Sequence, residues 1–552
     1  MRGVLTHQRS PDPTDTVGRS ISGRPTVVYA ASNDGIVHAF LAQDYPDGSA
    51  PPGFECVNNL DAGAELWGFV PPMFLSHAKD LLDGRVIMTD GNLQVKEMYD
   101  YRAFPTNGPP VTNVWRTVLF AGFRQGGAGA FALDITNPCK PEFLWQFADT
   151  DLGLTFGEPT GAQILLENSN FERQVRGVVL LPGGRGGAST GSSGTITSDL
   201  PQYPFIASSE ITPRSVRRSW PSGAGSGRAL YFIDLLTGRL IKKIDGSVFN
   251  APLSGGISVF NGNTGSIGSR AFLADEDGVL WRIDFSDPDV DEWDAHAFYD
   301  MYHGAAYDAA QPSYNGPAIT VDPDGNVVVI QATGNVDLLD EATVKNRVAS
   351  LAEQITFDDS GITTEVDGFV YWELDNDNTK DAYLDLGEQI TGPIELFAGN
   401  VYFGSFQSNT DPTNACPLGG SRLWGLNYTG DGNGDPEGRL TKTVAGDVQT
   451  VTNLDRNDLP ELQNSLLMGV RVERVLSCVE EIATPASFGD PYMNSMPTTL
   501  PKPTSAPKFQ LVAQLSGAKT GTGGASVREF KNDSAINLTQ FTQIVDYVGP
   551  ID

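Results

Sequence analysis

Long hydrophobic runs are missing from this chain of 552 residues. No stretch of 18 apolar residues occurs, so we expect no transmembrane helix. The first ten residues are polar and lack the apolar core of a signal peptide. Taken alone, these two absences predict a cytoplasmic protein without a membrane span.

Basic residues are scarce. Lysine and arginine number 37 against 68 aspartates and glutamates, which gives a net charge of −31. A surface this acidic repels phosphate backbones and anionic lipids, so nucleic acid and membrane surfaces are not expected partners. The same surplus favours solubility and attracts divalent cations.

Cysteines are few and far apart: Cys56, Cys139, Cys416 and Cys478. Because no Cys-x-x-Cys pair occurs, the spacing excludes a zinc ribbon and a thioredoxin-like redox motif. In an oxidising compartment the four thiols can form two disulfides in any of three connectivities. Four buried free thiols are the alternative, and the sequence leaves both open.

Motifs for catalysis are also scarce. The sequence has no His-Glu-x-x-His motif and no phosphate-binding loop. Asp134, Asp234 and Asp284 end strand-like runs, where an aspartate accepts backbone hydrogen bonds in the following turn. The five histidines are scattered, and we expect them to pack or to lie at the surface: His7, His38, His77, His296 and His303. We therefore predict no catalytic residue and no enzymatic activity.

Turn residues, in contrast, are abundant, with 61 glycines and 36 prolines. The run Val27–Phe40 places Asn33-Asp34-Gly35 between two β-branched segments, as a tight hairpin requires. Arg270–Asp284 repeats this pattern, and so do three further segments: 114–135, 229–240 and 401–426. Recurrent hairpins of this kind predict an all-β protein formed by a single β-propeller. A pair of β-sandwiches is the competing architecture.

Irregular segments interrupt the hairpins. Residues 183–227 are rich in Gly, Ser and Pro and are predicted to form a long loop insert, and 342–382 is predicted to be a second insert. Three arginines of the first insert form either a patch for an acidic partner or part of a solvated loop: Arg214, Arg217 and Arg218. Within the second insert, Val344–Ile355 is the best helix candidate.

The predicted domain boundaries follow from these segments. We expect an N-terminal extension at 1–23, a propeller over 24–515 and a C-terminal tail at 516–552. Residues 485–508 hold six prolines and are predicted to form an extended connector. Phe509–Leu515 is predicted to be the final strand and is the candidate for closing the ring.

Several blocks of the sequence resemble a known family when taken in order. The segment from Arg24 to Phe40, followed by Glu65–Pro71, is similar to the opening of the C-terminal propeller of PilY-type proteins. These are the type IV pilus biogenesis and tip-adhesin proteins, called PilC in some species. Further blocks resemble the family in the same order: 115–138, 144–157, 274–284 and 383–386.

The resemblance implies a modified propeller, expected to have seven blades, with no enzymatic activity. It implies a scaffold or tip protein that promotes type IV pilus assembly, surface adhesion and twitching motility. Minor pilins, other pilus components and host or abiotic surfaces are the implied partners, and the periplasm or cell surface is the implied location. The family also carries an export signal and a von Willebrand-like half, so the chain is expected to be a fragment, a separately encoded propeller or one whose start is misplaced.

Calcium is the one cofactor that the resemblance implies. The family's calcium loop falls at residues 261–269, where the ligand positions are Asn261, Asn263, Gly265 and Ser269. Because calcium affinity rises with the number of carboxylates and this loop offers none, it is expected to be degenerate.

Two other acidic turns alternate oxygen-bearing residues as calcium loops do. The better candidate is Asp431, Asn433 and Asp435, within a segment that also contains two glycines. The weaker candidate is Asp375–Asp381, where Lys380 reduces the negative charge.

An enzyme class shares part of this strand pattern. Quinone (PQQ)-dependent dehydrogenases are propellers with phrases like the one at Phe232–Gly238. Their site requires a vicinal disulfide, and this chain has no adjacent cysteines. A dehydrogenase of this kind and a secreted propeller unrelated to pili are the two alternatives to the pilus function.

Overall fold

The computed structural model describes residues 24–77, 79, 87–99, 115–167, 173–195, 215–261, 267–302, 310–335, 337–357, 363–409, 419–444, 447–459, 462–475, 508–516 and 526–530. The chain divides into two compact units, with the division between Gln389 and Ile390. No α-helix occurs among these described residues, and the short helical turns are 3-10 helices: Glu55–Val57, Pro72–His77, Arg124–Gly126 and Val290–Glu292. The predicted all-β class is confirmed.

Five antiparallel sheets follow one another along the first unit. The first sheet has three strands: β1 (Val27–Ala31), β2 (Val37–Leu41) and β3 (Glu65–Phe69). The second has four: β4 (Gln94–Tyr99), β5 (Trp115–Gly122), β6 (Ala130–Asp134) and β7 (Glu142–Phe147). The third has four: β8 (Thr160–Glu167), β9 (Arg173–Pro182), β12 (Leu230–Asp234) and β13 (Leu240–Ile244). A separate hairpin is inserted between β9 and β12 and consists of β10 (Thr190–Thr195) and β11 (Ser215–Ser219).

The next two sheets also have four strands each. The fourth sheet contains β14 (Ser258–Phe260), β15 (Arg270–Ala274), β16 (Val279–Asp284) and β17 (Asp294–Asp300). The fifth contains β18 (Ala318–Val321), β19 (Val327–Ala332), β20 (Val348–Phe357) and β21 (Thr363–Leu374). In all the four-stranded sheets the strands pair in chain order, which is the meander of a propeller blade.

The second, third and fourth sheets of the first unit are buried on both faces. Alternate residues of a strand point to opposite faces of its sheet. In β9, Val178 and Leu180 pack with the fourth sheet in one hydrophobic cluster, whereas Val179 and Leu181 pack with the second sheet in another. Phe272 of β15 faces away from that first cluster and packs against the fifth sheet. Because a sandwich ends after two sheets, this run of shared faces rules out the sandwich alternative and defines a β-propeller fold.

The second unit is also all-β in its described residues. It contains a five-stranded sheet, a separate hairpin and a three-stranded sheet. The five-stranded sheet, whose first strand spans the division between the units, consists of β22 (Glu388–Ile390), β23 (Glu395–Phe397), β24 (Asn400–Ser408), β25 (Gly419–Asn427) and β28 (Asn453–Leu454). The remaining strands are β26 (Leu440–Val444) and β27 (Asp447–Val451) of the hairpin, and β29 (Leu466–Val475), β30 (Lys508–Ser516) and β31 (Ser526–Phe530) of the last sheet.

The predicted hairpins are confirmed and the predicted helix is wrong. Strands β1 and β2 pair from Val27–Leu41 to Ala31–Val37, and β15 pairs with β16 as expected. The predicted helix at Val344–Ile355 falls largely on strand β20, which pairs with both β19 and β21. Its residues are buried from Val348 to Glu353, and an element buried on all sides lacks the alternation that identifies a strand.

Both predicted inserts contain regular structure. The described part of the insert at 183–227 includes the paired strands β10 and β11. Most of the insert predicted at 342–382 is strand, because β20 and β21 complete the fifth sheet. The domain boundaries and the seven blades stay predictions.

The C-terminal strand differs from its predicted role. β30 covers the predicted strand Phe509–Leu515, but it is not the final strand, since β31 follows within the predicted tail. β30 pairs with β29 on one edge and with β31 on the other. Both edges are therefore occupied over part of its length, and closure of the ring by this strand stays a prediction.

Candidate functional site

Charged residues occupy the same position in four successive sheets of the first unit. They follow the second strand of each four-stranded sheet: Arg124 after β5, Arg185 after β9, Glu276 after β15 and Asp337 after β19. Packing the sheets face to face brings these loops together. Arg124 Nη2 lies 2.6 Å from Asp337 Oδ1, although 213 residues separate them in the chain.

The backbone around these residues is held tightly. Arg124 adopts a left-handed conformation with φ of 50°, which is uncommon for a large side chain and marks a constrained position. Its N–H donates to Thr155 O at 3.1 Å, and Leu154 and Arg185 exchange backbone hydrogen bonds of 2.9 and 2.6 Å. A Cβ at Gly184 would lie 2.1 Å from Leu154 O, so only glycine allows this approach.

Seven side chains form what we call the inter-sheet cluster: Asp90, Arg124, Phe156, Arg185, Glu276, Tyr314 and Asp337. Arg124 pairs with Asp90 Oδ2 at 2.9 Å as well as with Asp337. Both Arg124 and Arg185 stack over the Phe156 ring, at 4.8 and 5.4 Å from its centroid. Burial lowers the pKa of Arg124, but the two aspartates outweigh burial and the net shift is upward. The guanidinium is therefore charged and fixed in place.

Glu276 and Tyr314 form the more buried side of the cluster. Burial raises the pKa of Glu276; Ser254, Arg185 and Arg218 oppose the shift, and Asp275 adds to it. Burial also raises the pKa of Tyr314, and the nearby Glu276 adds to the shift. The Tyr314 ring lies 5.5 Å from that of Phe156.

Arg218 attaches the inserted hairpin to the cluster. Its Nε donates to Asp277 Oδ1 at 2.5 Å, and its Nη2 donates to the backbone oxygen of Glu276. The guanidinium also stacks over Trp220 at 5.0 Å. For Arg218 the solvated-loop expectation is therefore wrong. Arg214 lies outside the described residues.

This cluster was not predicted from the sequence. Its members lie in seven separate segments, so no local motif connects them. The only signal was that Arg124, Arg185 and Glu276 each follow an apolar strand run.

A serine motif was also missed: residues 187–191 have the Gly-x-Ser-x-Gly spacing. These residues lead into strand β10, whereas a hydrolase elbow joins a strand to a helix.

The better calcium candidate is an exposed turn in the second unit. Asp431 Oδ1 accepts hydrogen bonds from the N–H groups of Asn433 and Asp435, at 2.8 and 3.2 Å. These contacts, the Asn433 backbone first, lower the pKa of Asp431. Asp322 makes the same pair of contacts in the β18–β19 turn. Turn formation thus accounts for the alternating oxygens, and a metal at Asp431, Asn433 and Asp435 stays a prediction.

The other two calcium candidates are weaker sites. In the degenerate family loop, Asn261 and Ser269 flank β14 and β15, and Asn263 lies outside the described residues. In the second turn, Lys380 Nζ lies 3.1 Å from Asp375 Oδ2 and occupies part of that carboxylate. Among the described residues, no group of three His, Cys, Asp or Glu side chains is placed to hold a metal ion.

One of the possible disulfides is present. Cys56 and Cys139 are bonded, and 83 residues separate them in the chain. The free-thiol alternative is wrong for this pair, and a connectivity that joins Cys56 to Cys416 or Cys478 is excluded. Cys416 and Cys478 themselves lie outside the described part of the chain.

No helix among the described residues has both the length and the apolar character needed to cross a membrane.

Comparison with known proteins connects this propeller to pilus factors. No family model matches the chain. The type IV pilus biogenesis factor PilY1 homolog of Xylella fastidiosa is 25% identical over 270 residues, which are 48% of this chain and 16% of that protein. PilY1 of Pseudomonas aeruginosa strain UCBPP-PA14 is 25% identical over 283 residues, 48% of this chain and 18% of that protein. The crystal structure of the Pseudomonas aeruginosa PilY1 C-terminal domain superposes with a TM-score of 0.48 at 17% identity, covering 83% of this chain and 91% of that one.

The fold and the sequence matches define what the chain resembles. The sheet packing of the first unit places it among β-propeller proteins. The sequence matches then confirm the resemblance to PilY-type proteins, to which the chain is similar over about half of its length. It spans less than a fifth of the length of the curated relatives that it matches.

Proposed function

We propose that this chain is a non-enzymatic, type IV pilus-associated scaffold or tip protein that promotes pilus assembly and surface adhesion. The observation that carries the proposal is the sequence match, over 48% of the chain, to proteins named type IV pilus biogenesis factors. Minor pilins or other pilus components, and a host or abiotic surface, are the proposed partners.

The architecture suits a binding role. Sheets that are buried on both faces form a rigid frame, and loops on such a frame are the usual place for recognition. The hairpin β10–β11 lies within the predicted insert 183–227 and is a proposed contact element. In the second insert, the proposed contact residues are those of 342–382 that lie outside strands β20 and β21.

The disulfide supports a location outside the cytoplasm. Disulfides persist in the periplasm and at the cell surface, whereas cytoplasmic thiols are kept reduced. We therefore place the protein in the periplasm or at the cell surface with the pilus. Calcium binding at Asp431, Asn433 and Asp435 is proposed as a modulator of its binding.

Deletion of the gene in the source organism tests the function. We expect fewer surface pili, counted by electron microscopy, and weaker attachment to a surface, both restored by the wild-type gene on a plasmid. An empty plasmid is the control for restoration. Normal piliation together with normal attachment in the deletion strain would contradict the proposal.

A further inference from the structure

Hydrogen-bonding capacity in the inter-sheet cluster is left unused. Glu276 is 8% exposed, and its Oε1 has no hydrogen-bond partner among the described residues. The buried Tyr314 Oη has none there either. Leaving buried polar atoms unpaired is unfavourable, so such atoms usually mark a bound water, ion or ligand.

Arg185 makes fewer side-chain contacts with acidic residues than Arg124 does. Arg124 donates to Asp90 and Asp337 at 2.9 and 2.6 Å. Arg185 reaches only Asp337 Oδ2, at 3.9 Å, and makes no side-chain hydrogen bond within the described chain. It is also the more exposed of the two, at 38% against 26%. The five N–H donors of Arg185 are therefore available to a ligand.

The surroundings of Arg185 favour a carboxylate as that ligand. A guanidinium presents paired donors that match the two oxygens of a carboxylate, and stacking on Phe156 fixes the plane of the group. The Tyr314 hydroxyl supplies one further donor. Leu154 exchanges backbone hydrogen bonds with Arg185, and Leu338 follows Asp337 in the chain. Each leucine exposes 39% of its surface, and together they provide an apolar rim.

We propose that the inter-sheet cluster is a carboxylate-binding site in which Arg185 and Tyr314 donate hydrogen bonds to the ligand. The carboxylate belongs either to a small free acid or to an acidic side chain of a polypeptide. The proposal does not depend on the pilus function, since it rests on the unused donors of the cluster.

A cation is the competing ligand. Glu276 Oε1 and Asp337 Oδ2 both lack hydrogen bonds among the described residues and could coordinate one. Two features oppose a cation: Asp337 is already paired with Arg124 at 2.6 Å, and the burial that raises the pKa of Glu276 favours its uncharged form.

The test is a titration of the full chain with sodium succinate at constant ionic strength, followed by calorimetry and by thermal unfolding. We expect saturable binding that Arg185→Gln weakens at least about tenfold and Tyr314→Phe weakens a few-fold. Arg173→Gln is the matched control, since Arg173 lies at the other end of β9 and is 65% exposed. That variant is expected to bind succinate like the wild type.

The same titration with two blocked tripeptides, Gly-Asp-Gly and Gly-Asn-Gly, distinguishes the sources of the carboxylate. Tighter binding of the aspartyl peptide than of succinate indicates a polypeptide ligand, and the reverse order indicates a free acid. The absence of saturable binding to all carboxylates would overturn the proposal. Stabilisation by calcium chloride alone, or equal weakening by Arg173→Gln and Arg185→Gln, would overturn it as well.

Discussion

Aspartate side chains hold the turns between strands throughout this chain. Asp134 Oδ1 accepts from Thr136 N at 2.8 Å, and Asp234 and Asp284 make equivalent contacts two residues along the chain. These three roles were predictable from sequence, because an aspartate at the end of a strand bonds to its own local backbone. Part of the acidic surplus of the chain is therefore structural.

Asp275 provides the sharpest test of this role. Its buried carboxylate accepts hydrogen bonds from Asp277 N, Val279 N and Trp281 Nε1 at 2.9, 3.0 and 2.9 Å. Asp275→Ala leaves these donors unpaired, so we expect the free energy of unfolding to fall on the order of 3 kcal/mol. Urea denaturation measures the loss. Asp431→Ala is the control, because the same kind of turn is exposed there and its removal is expected to cost much less.

Glu276 predicts a pH dependence of stability. Burial raises its pKa in the folded chain above the unfolded value, with Ser254, Arg185 and Arg218 opposing and Asp275 adding to the shift; Glu276 in turn acts on Tyr314. The folded state thus holds a proton that the unfolded state releases. This contribution to stability is fully present below the unfolded pKa and is lost as the pH rises through the folded pKa.

Glu276→Gln removes that titration. We expect the variant to lose less stability than the wild type between acidic and neutral pH, measured by urea midpoints across the range. Identical pH profiles for the two proteins would contradict the assigned pKa shift.

Some strands were predictable from the sequence and others were not. Hairpins such as β1–β2 and β15–β16 carry their turn residues between two runs, and this local signal predicted them. β20 was missed because both faces of its sheet are buried, which removes the alternation of polar and apolar residues. The inter-sheet cluster could not be predicted either, because contacts such as Arg124–Asp337 exist only after the sheets have packed.

An ion-pair network joins the fourth and fifth sheets. The Glu353 side chain on β20 is 0% exposed, and it pairs with Arg282 on β16 and with Arg270 Nη1 on β15, the latter at 3.1 Å. Glu353→Gln leaves Arg270 without this partner and Arg282 with Asp284 alone, so we expect a loss of about 3 kcal/mol in urea denaturation.

The double variant Arg282→Met with Glu353→Leu is the matched comparison. This replacement removes the charge of Arg282 but leaves Arg270 without its partner, so it is expected to recover only part of the loss. A single variant as stable as the wild type would show that the network does not stabilise the contact between the sheets.

At the scale of the molecule, the disulfide closes a long loop of chain. Cys56 follows the first two strands, and its partner Cys139 follows β6, 83 residues later. Closing a loop of this length restricts the unfolded chain, so we expect Cys56→Ser to lower the free energy of unfolding by about 2–4 kcal/mol. Reductant should shift the urea midpoint of the wild type towards that of the variant, and an unchanged midpoint would contradict the predicted stabilisation.

The pilus association is the central claim, and fractionation of cells tests it most directly. An epitope-tagged chain is followed by immunoblotting in pili sheared from the cell surface, in wild-type cells and in cells that lack the major pilin. The account predicts that the tagged chain occurs in the sheared pilus fraction of wild-type cells and is lost from that fraction without the pilin. A tagged chain confined to the cytoplasm, or distributed identically in both strains, would contradict it.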